Sequence, residues 1–290
     1  MFEALLEEAG VLKRILDAVK ELVNQANVSF SPTGITIHSM DSSCVALLHL
    51  VLCDDGFQHF RCDASTVVGI NFVTMSKILK GARNDDSVTI RKKDEDDFLT
   101  LILESKDGKD VVSFEMKEMD IDAESLGVPE TEYEVTVSMD SASFQNKMRY
   151  LAQFGDAVTI EAEPSCVKFS VNGEQASGSI SLRSSSSGDE DDGLDEGVKI
   201  NRKNDVSLSF ALRYLQTFTK ATTLSNRVRL SLSNAVPLSV SYDIEGLGFI
   251  TYYLAPKIDD DEDDEEDEDE EVEENAEEQD VKEEDEEEDY

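Results

Sequence analysis

The chain has 290 residues, 39% hydrophobic and 7% aromatic, a composition suited to a globular protein with room for two domains. Its formal net charge of −39 is concentrated at one end: residues 259–290 hold 25 acidic residues against one basic residue, Lys282, which leaves −15 on the first 258. The body is therefore only moderately acidic, and the average charge does not exclude a nucleic-acid partner. No stretch approaches the roughly 18 consecutive apolar residues of a membrane span. Met1–Glu8 lacks the basic and apolar regions of a signal peptide, so neither export nor a membrane partner is expected. The four cysteines, Cys44, Cys53, Cys62 and Cys166, form no CxxC pair and read as thiols in a reducing compartment.

Four segments repeat one plan, an amphipathic helix followed by two alternating strands. The first helix carries Val11, Leu12, Ile15, Leu16, Val19, Leu22 and Val23 at helical spacing. Val28–His38 follows, with Pro32 and Gly34 marking a turn between two strands. The second helix has Phe72, Met75, Ile78 and Leu79, then strands over Asp86–Arg91 and Phe98–Leu103. Residues 117–134 contain Leu126, Gly127, Val128 and Pro129 among acids and read as an extended linker. The third helix has Phe144, Met148 and Leu151, then strands over Asp156–Ala162 and Cys166–Val171. Ser184–Gly197, a serine run followed by acids, reads as a polar surface loop. The fourth helix has Phe210, Leu212, Leu215 and Phe218, then strands over Asn226–Leu232 and Leu238–Tyr242. Beyond residue 258 there is too little apolar surface to fold. The expected class is α+β: two similar domains, 1–117 and 135–258, a connector over 118–134, and a disordered acidic tail, 259–290.

Nine of the 26 lysines and arginines fall on these helices: Lys13, Arg14, Lys20, Lys77, Lys80, Lys147, Arg149, Arg213 and Lys220. Any one helix could simply carry a solvated basic face. Four helices agreeing in an acidic chain favour a shared anionic partner. Phosphate backbone fits, because its neutralisation releases counterions whatever the base sequence. No base-reading element and no interleaved aromatics accompany the charge, which points to sequence-independent contact with duplex DNA.

Catalysis has little to work with. His38, His49 and His59 lie in or near strands, where histidine is usually structural. There is no GxSxG, P-loop or HExxH motif. Asp54–Asp55 and Asp85–Asp86 sit at turn positions, where carboxylates cap backbone N–H groups. No catalytic residue, metal ligand or cofactor is expected.

Several segments resemble the proliferating cell nuclear antigen family of eukaryotic sliding clamps: Met1–Ala4, Ser39–Ser43, Met75–Lys80, Leu126–Glu130, Gly155–Val158, Phe210–Leu215 and Tyr252–Ile258. The resemblance covers about residues 1–258. It implies a nuclear, homotrimeric ring of six similar domains with the DNA clamp fold, helices lining the hole and strands outside. Such a ring acts as a polymerase processivity factor. It also implies a subunit contact between edge strands, Lys109–Lys117 against about Gln175–Arg183, with Val111, Val112 and Phe114 facing Gly178, Ile180 and Leu182. A partner groove by the same resemblance comprises Met40, Val45, Leu47, Leu126, Val128, Pro129, Pro237, Tyr253, Ala255, Pro256 and Ile258. Its implied ligands are DNA polymerase, clamp loader, ligase and nuclease partners carrying short aromatic-anchored motifs.

The departures are Cys44 where the family usually has histidine, Pro164 where many members have a modified lysine, Gln153 at a commonly basic position, and the acidic tail itself. The tail suits basic proteins, so an acidic histone-binding chaperone is the alternative from another class, and a checkpoint clamp subunit is a third reading. The tail could also cover the partner groove of its own subunit, and Ser184–Ser187 could accept phosphate from an acid-directed kinase.

Overall fold

The computed structural model describes residues 1–122, 131–163, 166–184, 197–234 and 236–257. Leu126, Val128, Pro129, Pro164, Ser185–Ser187 and Ile258 lie outside the described residues. Residues 1–256 form one compact unit.

The first half of the compact unit runs β1 (Phe2–Leu6), α1 (Ala9–Lys20), β2 (Gln25–Ser31), β3 (Gly34–Met40), β4 (Ala46–Cys53), β5 (His59–Cys62), β6 (Thr66–Asn71), α2 (Phe72–Leu79), β7 (Ser87–Lys92), β8 (Phe98–Glu104) and β9 (Val111–Lys117). The second half repeats that order as β10 (Val135–Asp140), α3 (Ser141–Leu151), β11 (Ala157–Glu163), β12 (Cys166–Asn172), β13 (Ser177–Arg183), β14 (Lys199–Arg202), β15 (Val206–Ala211), α4 (Leu212–Phe218), β16 (Arg227–Ser233), β17 (Val236–Ile244) and β18 (Gly248–Leu254).

The repeat reaches down to single hydrogen bonds. Ala9 N–H donates to the Asp86 carbonyl at 2.7 Å, and Ser141 N–H donates to that of Asn226 at 2.9 Å. Phe72 N–H donates to the Asn24 carbonyl, as Leu212 N–H does to that of Asp156.

Each half builds a five-stranded and a four-stranded antiparallel sheet. In the first half the orders are β5-β1-β7-β8-β9 and β4-β3-β2-β6. In the second they are β14-β10-β16-β17-β18 and β13-β12-β11-β15. The chain joins its halves by pairing β18 with β4, in the register Tyr252↔Leu48 and Tyr253↔Leu47, which fuses two of these sheets into one of nine strands. Because a sheet and a shared core cross the midpoint, residues 1–256 hold together as one unit.

The helices cover the inner face of the sheets. The α1 stripe Leu12, Ile15, Leu16 and Val19 is almost wholly buried. Each such side chain contributes about 1.5–3 kcal/mol of transfer free energy. Asn71 and Asp140 cap α2 and α3, accepting from Thr74 N–H at 2.8 Å and Ser143 N–H at 2.6 Å. Side by side the helical elements run α2, α1, the 3-10 turn Thr219–Thr223 that continues α4, and α3.

Three sequence expectations change. Phe210 belongs to β15, not to the fourth helix; a strand ending directly in a helix keeps its last inward residue in line with the helical stripe. Lys220 sits in the 3-10 turn rather than in α4. Leu22 and Val23 lie beyond the end of α1, although both still pack on the core. The halves also hold more strands than two per helix, because short strands such as β5 and β14 show too little alternation to be read.

Candidate nucleic-acid interface, partner groove and free edges

On α1 to α4, their C-terminal caps and the turn Thr219–Thr223, there are nine basic residues against two acids, Asp17 and Glu21. The whole chain, by contrast, has 65 acids and 26 bases. The buried faces of the helices are apolar, so the charges are confined to the sides away from the sheets. Arg14, Lys77, Lys80, Arg149, Arg213 and Lys220 are exposed. The other three are engaged within the chain. Lys13 donates to the Ala82 carbonyl at 2.5 Å and to Asn84 Oδ1 at 3.2 Å, bracing α1 against the turn after α2. Lys20 bridges to Asp17, and Lys147 donates to Ser143 Oγ. Arg213 lies 4.9 Å from the centre of the Tyr214 ring. A periodicity argument treats the nine alike; the packing separates six exposed cations from three partly committed ones.

The described part of the expected groove forms where β3, β4, β17 and β18 meet. Met40 pairs with Leu47, Leu47 with Tyr253, and Tyr253 with Ser239, so these residues share the sheet face opposite the helices. Val45 and Ala255 are joined by the Ala255 N–H to Val45 carbonyl bond at 3.1 Å. Pro237 and Pro256 are half-buried alongside. The arrangement is a shallow apolar strip with two phenols, which can take up apolar and aromatic side chains but offers no catalytic group.

Two residues that sequence reading passed over organise this strip. Tyr133 directs its hydroxyl towards the Pro237 carbonyl, and burial followed by its neighbour Tyr253 raises its pKa. Burial raises that of Tyr253 as well. Asp41 is buried in the loop between β3 and β4. Its carboxylate accepts from Ala46 N–H at 2.8 Å, Val45 N–H at 2.9 Å, Ser43 N–H at 3.1 Å and Tyr214 Oη at 2.9 Å. Burial alone would raise the Asp41 pKa; these donors outweigh it and lower the pKa below the ordinary carboxylate value. The loop they hold includes Cys44, exposed and at φ +57°, a left-handed conformation uncommon for a non-glycine residue. Tyr133 acts on Pro237, 104 residues on, and the one distant donor to Asp41, Tyr214, lies 173 residues away, so neither long-range contact is announced by sequence neighbours.

The third feature is a pair of strand edges. β18 and β4 pair with each other, but their counterparts β9 and β13 have no partner strand on their outer sides among the described residues. On β9, Val111, Val112 and Phe114 are 59%, 46% and 43% exposed. On β13, Ile180 and Leu182 are half-buried, and nothing lies within 4 Å of a Cβ built on Gly178. An open edge carrying apolar side chains is a template for strand addition.

Among the described residues no group of three or more His, Cys, Asp or Glu side chains is arranged to hold a metal ion. A family model described as "Proliferating cell nuclear antigen, N-terminal domain" matches residues 1–125. A second, described as "Proliferating cell nuclear antigen, C-terminal domain", matches residues 127–257. With both halves matched in order, the chain belongs to the proliferating cell nuclear antigen family and is a DNA sliding clamp, a non-enzymatic scaffold for replication and repair.

Proposed function

We propose that three copies of this chain close head to tail into a ring, each β9 adding to the β13 of the next copy. The observation that carries this reading is the pairing the chain makes with itself. Traced through the matched registers of the two halves, Tyr252 corresponds to Phe114 and Leu48 to Gly178. Carrying the β18–β4 register across sets Phe114 opposite Gly178 and Val112 opposite Ile180. A bulky ring then stands opposite Gly178, where nothing lies within 4 Å of a built Cβ. Head-to-tail contacts of this kind close when the repeated rotation completes a circle.

In that ring the clamp domains are 1–117 and 135–258, joined by residues 118–134, and the row of helices faces the hole. Arg14, Lys77, Lys80, Arg149, Arg213 and Lys220 make transient phosphate contacts, with Lys13, Lys20 and Lys147 contributing charge from partly committed positions. Residence on DNA comes from encirclement, so the individual contacts stay weak enough for sliding. The groove residues Met40, Val45, Leu47, Pro237, Tyr253, Ala255 and Pro256, joined by Tyr133, receive the short motifs of polymerases, ligases, nucleases and the clamp loader. The protein works in the nucleus.

The test is topological. Loaded by a clamp loader onto nicked circular duplex DNA, the protein stays bound through a high-salt wash and is lost when the circle is cut. Equal retention before and after cutting contradicts encirclement.

A further inference from the structure

We propose that His38 and His49 together form a binding site for a divalent transition-metal ion, on the outer face of the nine-stranded sheet beside the partner groove.

The chain has three histidines. Two of them stand directly opposite one another, His38 on β3 and His49 on β4. Their ring centres are 4.6 Å apart and their planes are inclined at 56°. Each lies two residues along its strand from a groove residue, Met40 or Leu47, so both imidazoles are on the sheet face opposite the helices. Both are half-buried. The internal repeat shows that the fold does not demand them. In the matched register of the second half the same cross-strand pair is Ser170 and Ser179. Small hydroxyls serve the same backbone there, so the facing imidazoles are an addition to the shared plan.

Their spacing suits a shared ion. Imidazole holds zinc, nickel or copper through a ring nitrogen at about 2.0–2.1 Å, which puts each ring centre about 3.2 Å from the metal. Two such ligands at a right angle, as in square-planar or octahedral sites, have ring centres about 4.5 Å apart; at the tetrahedral angle the separation is about 5.2 Å. The observed 4.6 Å meets the first figure. A modest rotation about the soft terminal torsion of either ring reaches the second.

The surroundings hold the rings in place. Phe249 meets His49 edge to face at 5.5 Å. Thr251 pairs with His49 from β18, and its hydroxyl is engaged with Ser241 Oγ at 2.9 Å. On the other side, Asn27 of β2 donates to the Ile121 carbonyl at 2.9 Å, and Met119 bridges to Gly69, which pins the start of the connector beside β3. Ligands fixed on packed strands lose little freedom on binding. Among the described residues no third His, Cys, Asp or Glu joins the pair in a metal-holding group, so water fills the other coordination positions. Such a site holds its ion reversibly. Once bound, the ion ties β3 to β4 next to the Asp41 loop and places positive charge beside the groove.

The test titrates the full-length chain with Zn2+ in excess Mg2+, which occupies carboxylates but is a poor partner for imidazole. Histidine side-chain nitrogen resonances are followed by NMR, with His59, exposed on β5, as the internal control. The resonances of His38 and His49 should shift together and saturate at one ion per chain, while those of His59 stay in place. His38→Gln and His49→Gln should each weaken binding about 100-fold, the advantage of a second tethered ligand. At free Zn2+ about 100 times the dissociation constant, the wild-type melting temperature should rise by roughly 5–10 °C. Both variants should lose that rise. Zn2+ that leaves His38 and His49 unmoved, shifts His59 equally, or raises the melting temperature of the variants as much as that of the wild type overturns the site.

Discussion

The chain contains one strand-to-strand seam twice over, once made and once left open. Where β18 meets β4 the contact is complete, with Phe218 and Tyr252 stacked at 4.5 Å and the Asp41 carboxylate gathering four donors. Where β9 and β13 stand, the same backbone geometry is present with exposed valines, an exposed phenylalanine and a glycine. The difference teaches that one fold can serve as both cement and joint. Polar, buried, multiply bonded residues hold the junction inside the chain; exposed apolar residues line the edges proposed to join separate chains.

The largest effect that would break this comparison is at Phe114. Phe114→Asp places a charge in the proposed joint and should raise the trimer dissociation constant by about three orders of magnitude, roughly 4 kcal/mol. Light scattering should report a monomer whose melting temperature is nearly that of the unassembled wild-type chain, because Phe114 is exposed there.

The converse change belongs to the closed seam. Tyr214→Phe removes one donor from Asp41 and should cost about 1–2 kcal/mol in urea unfolding, with no change in the trimer dissociation constant. An equal effect on both quantities would show that the two seams are not separable.

A smaller effect is set by pH. His49, on β4 opposite His38, is held near a pKa of about 4 by burial and then by the charge of His38. Its folded pKa lies below the ordinary value of 6.5, so the fold favours the neutral ring. Stability from this group is complete above pH 6.5, declines as pH falls towards 4, and levels off below that. After allowance for solvent screening of a half-exposed ring, the loss should be about 1 kcal/mol. His49→Gln should remove the slope. The matching residue on β13 is Ser179, so trimer assembly should show no corresponding slope.

The smallest effect separates neighbours on α1. Arg14→Ala should reduce the slope of log affinity against log salt by about 0.9 in direct binding to duplex DNA, as expected for one phosphate contact. Lys13→Ala should leave that slope nearly intact and instead lower chain stability, because Lys13 is tied to Ala82 and Asn84.

Much of this was legible in the residue order. The stripes of the four helices follow a period of 3.6, and their basic residues follow from what the stripe leaves over. The turn at Pro32–Gly34 and the alternating strands announce themselves locally. What was not legible depends on partners far along the chain. Nothing near Leu48 or Tyr252 says that β4 pairs with β18. Nothing near Asp41 says that Tyr214, 173 residues on, will donate to it. Phe210 misled because strand and helix share one core face at their junction. Tyr133 was overlooked because it is polar, isolated in the linker, and becomes meaningful only against Tyr253.

The central claim is that the open edges are a joint between identical chains. The most direct measurement is the mass of the native full-length protein at micromolar concentration, by native mass spectrometry. The account predicts a species of three times the 32.2 kDa chain, dissociating on dilution without populating unfolded chain. A single 32.2 kDa species under those conditions would contradict it.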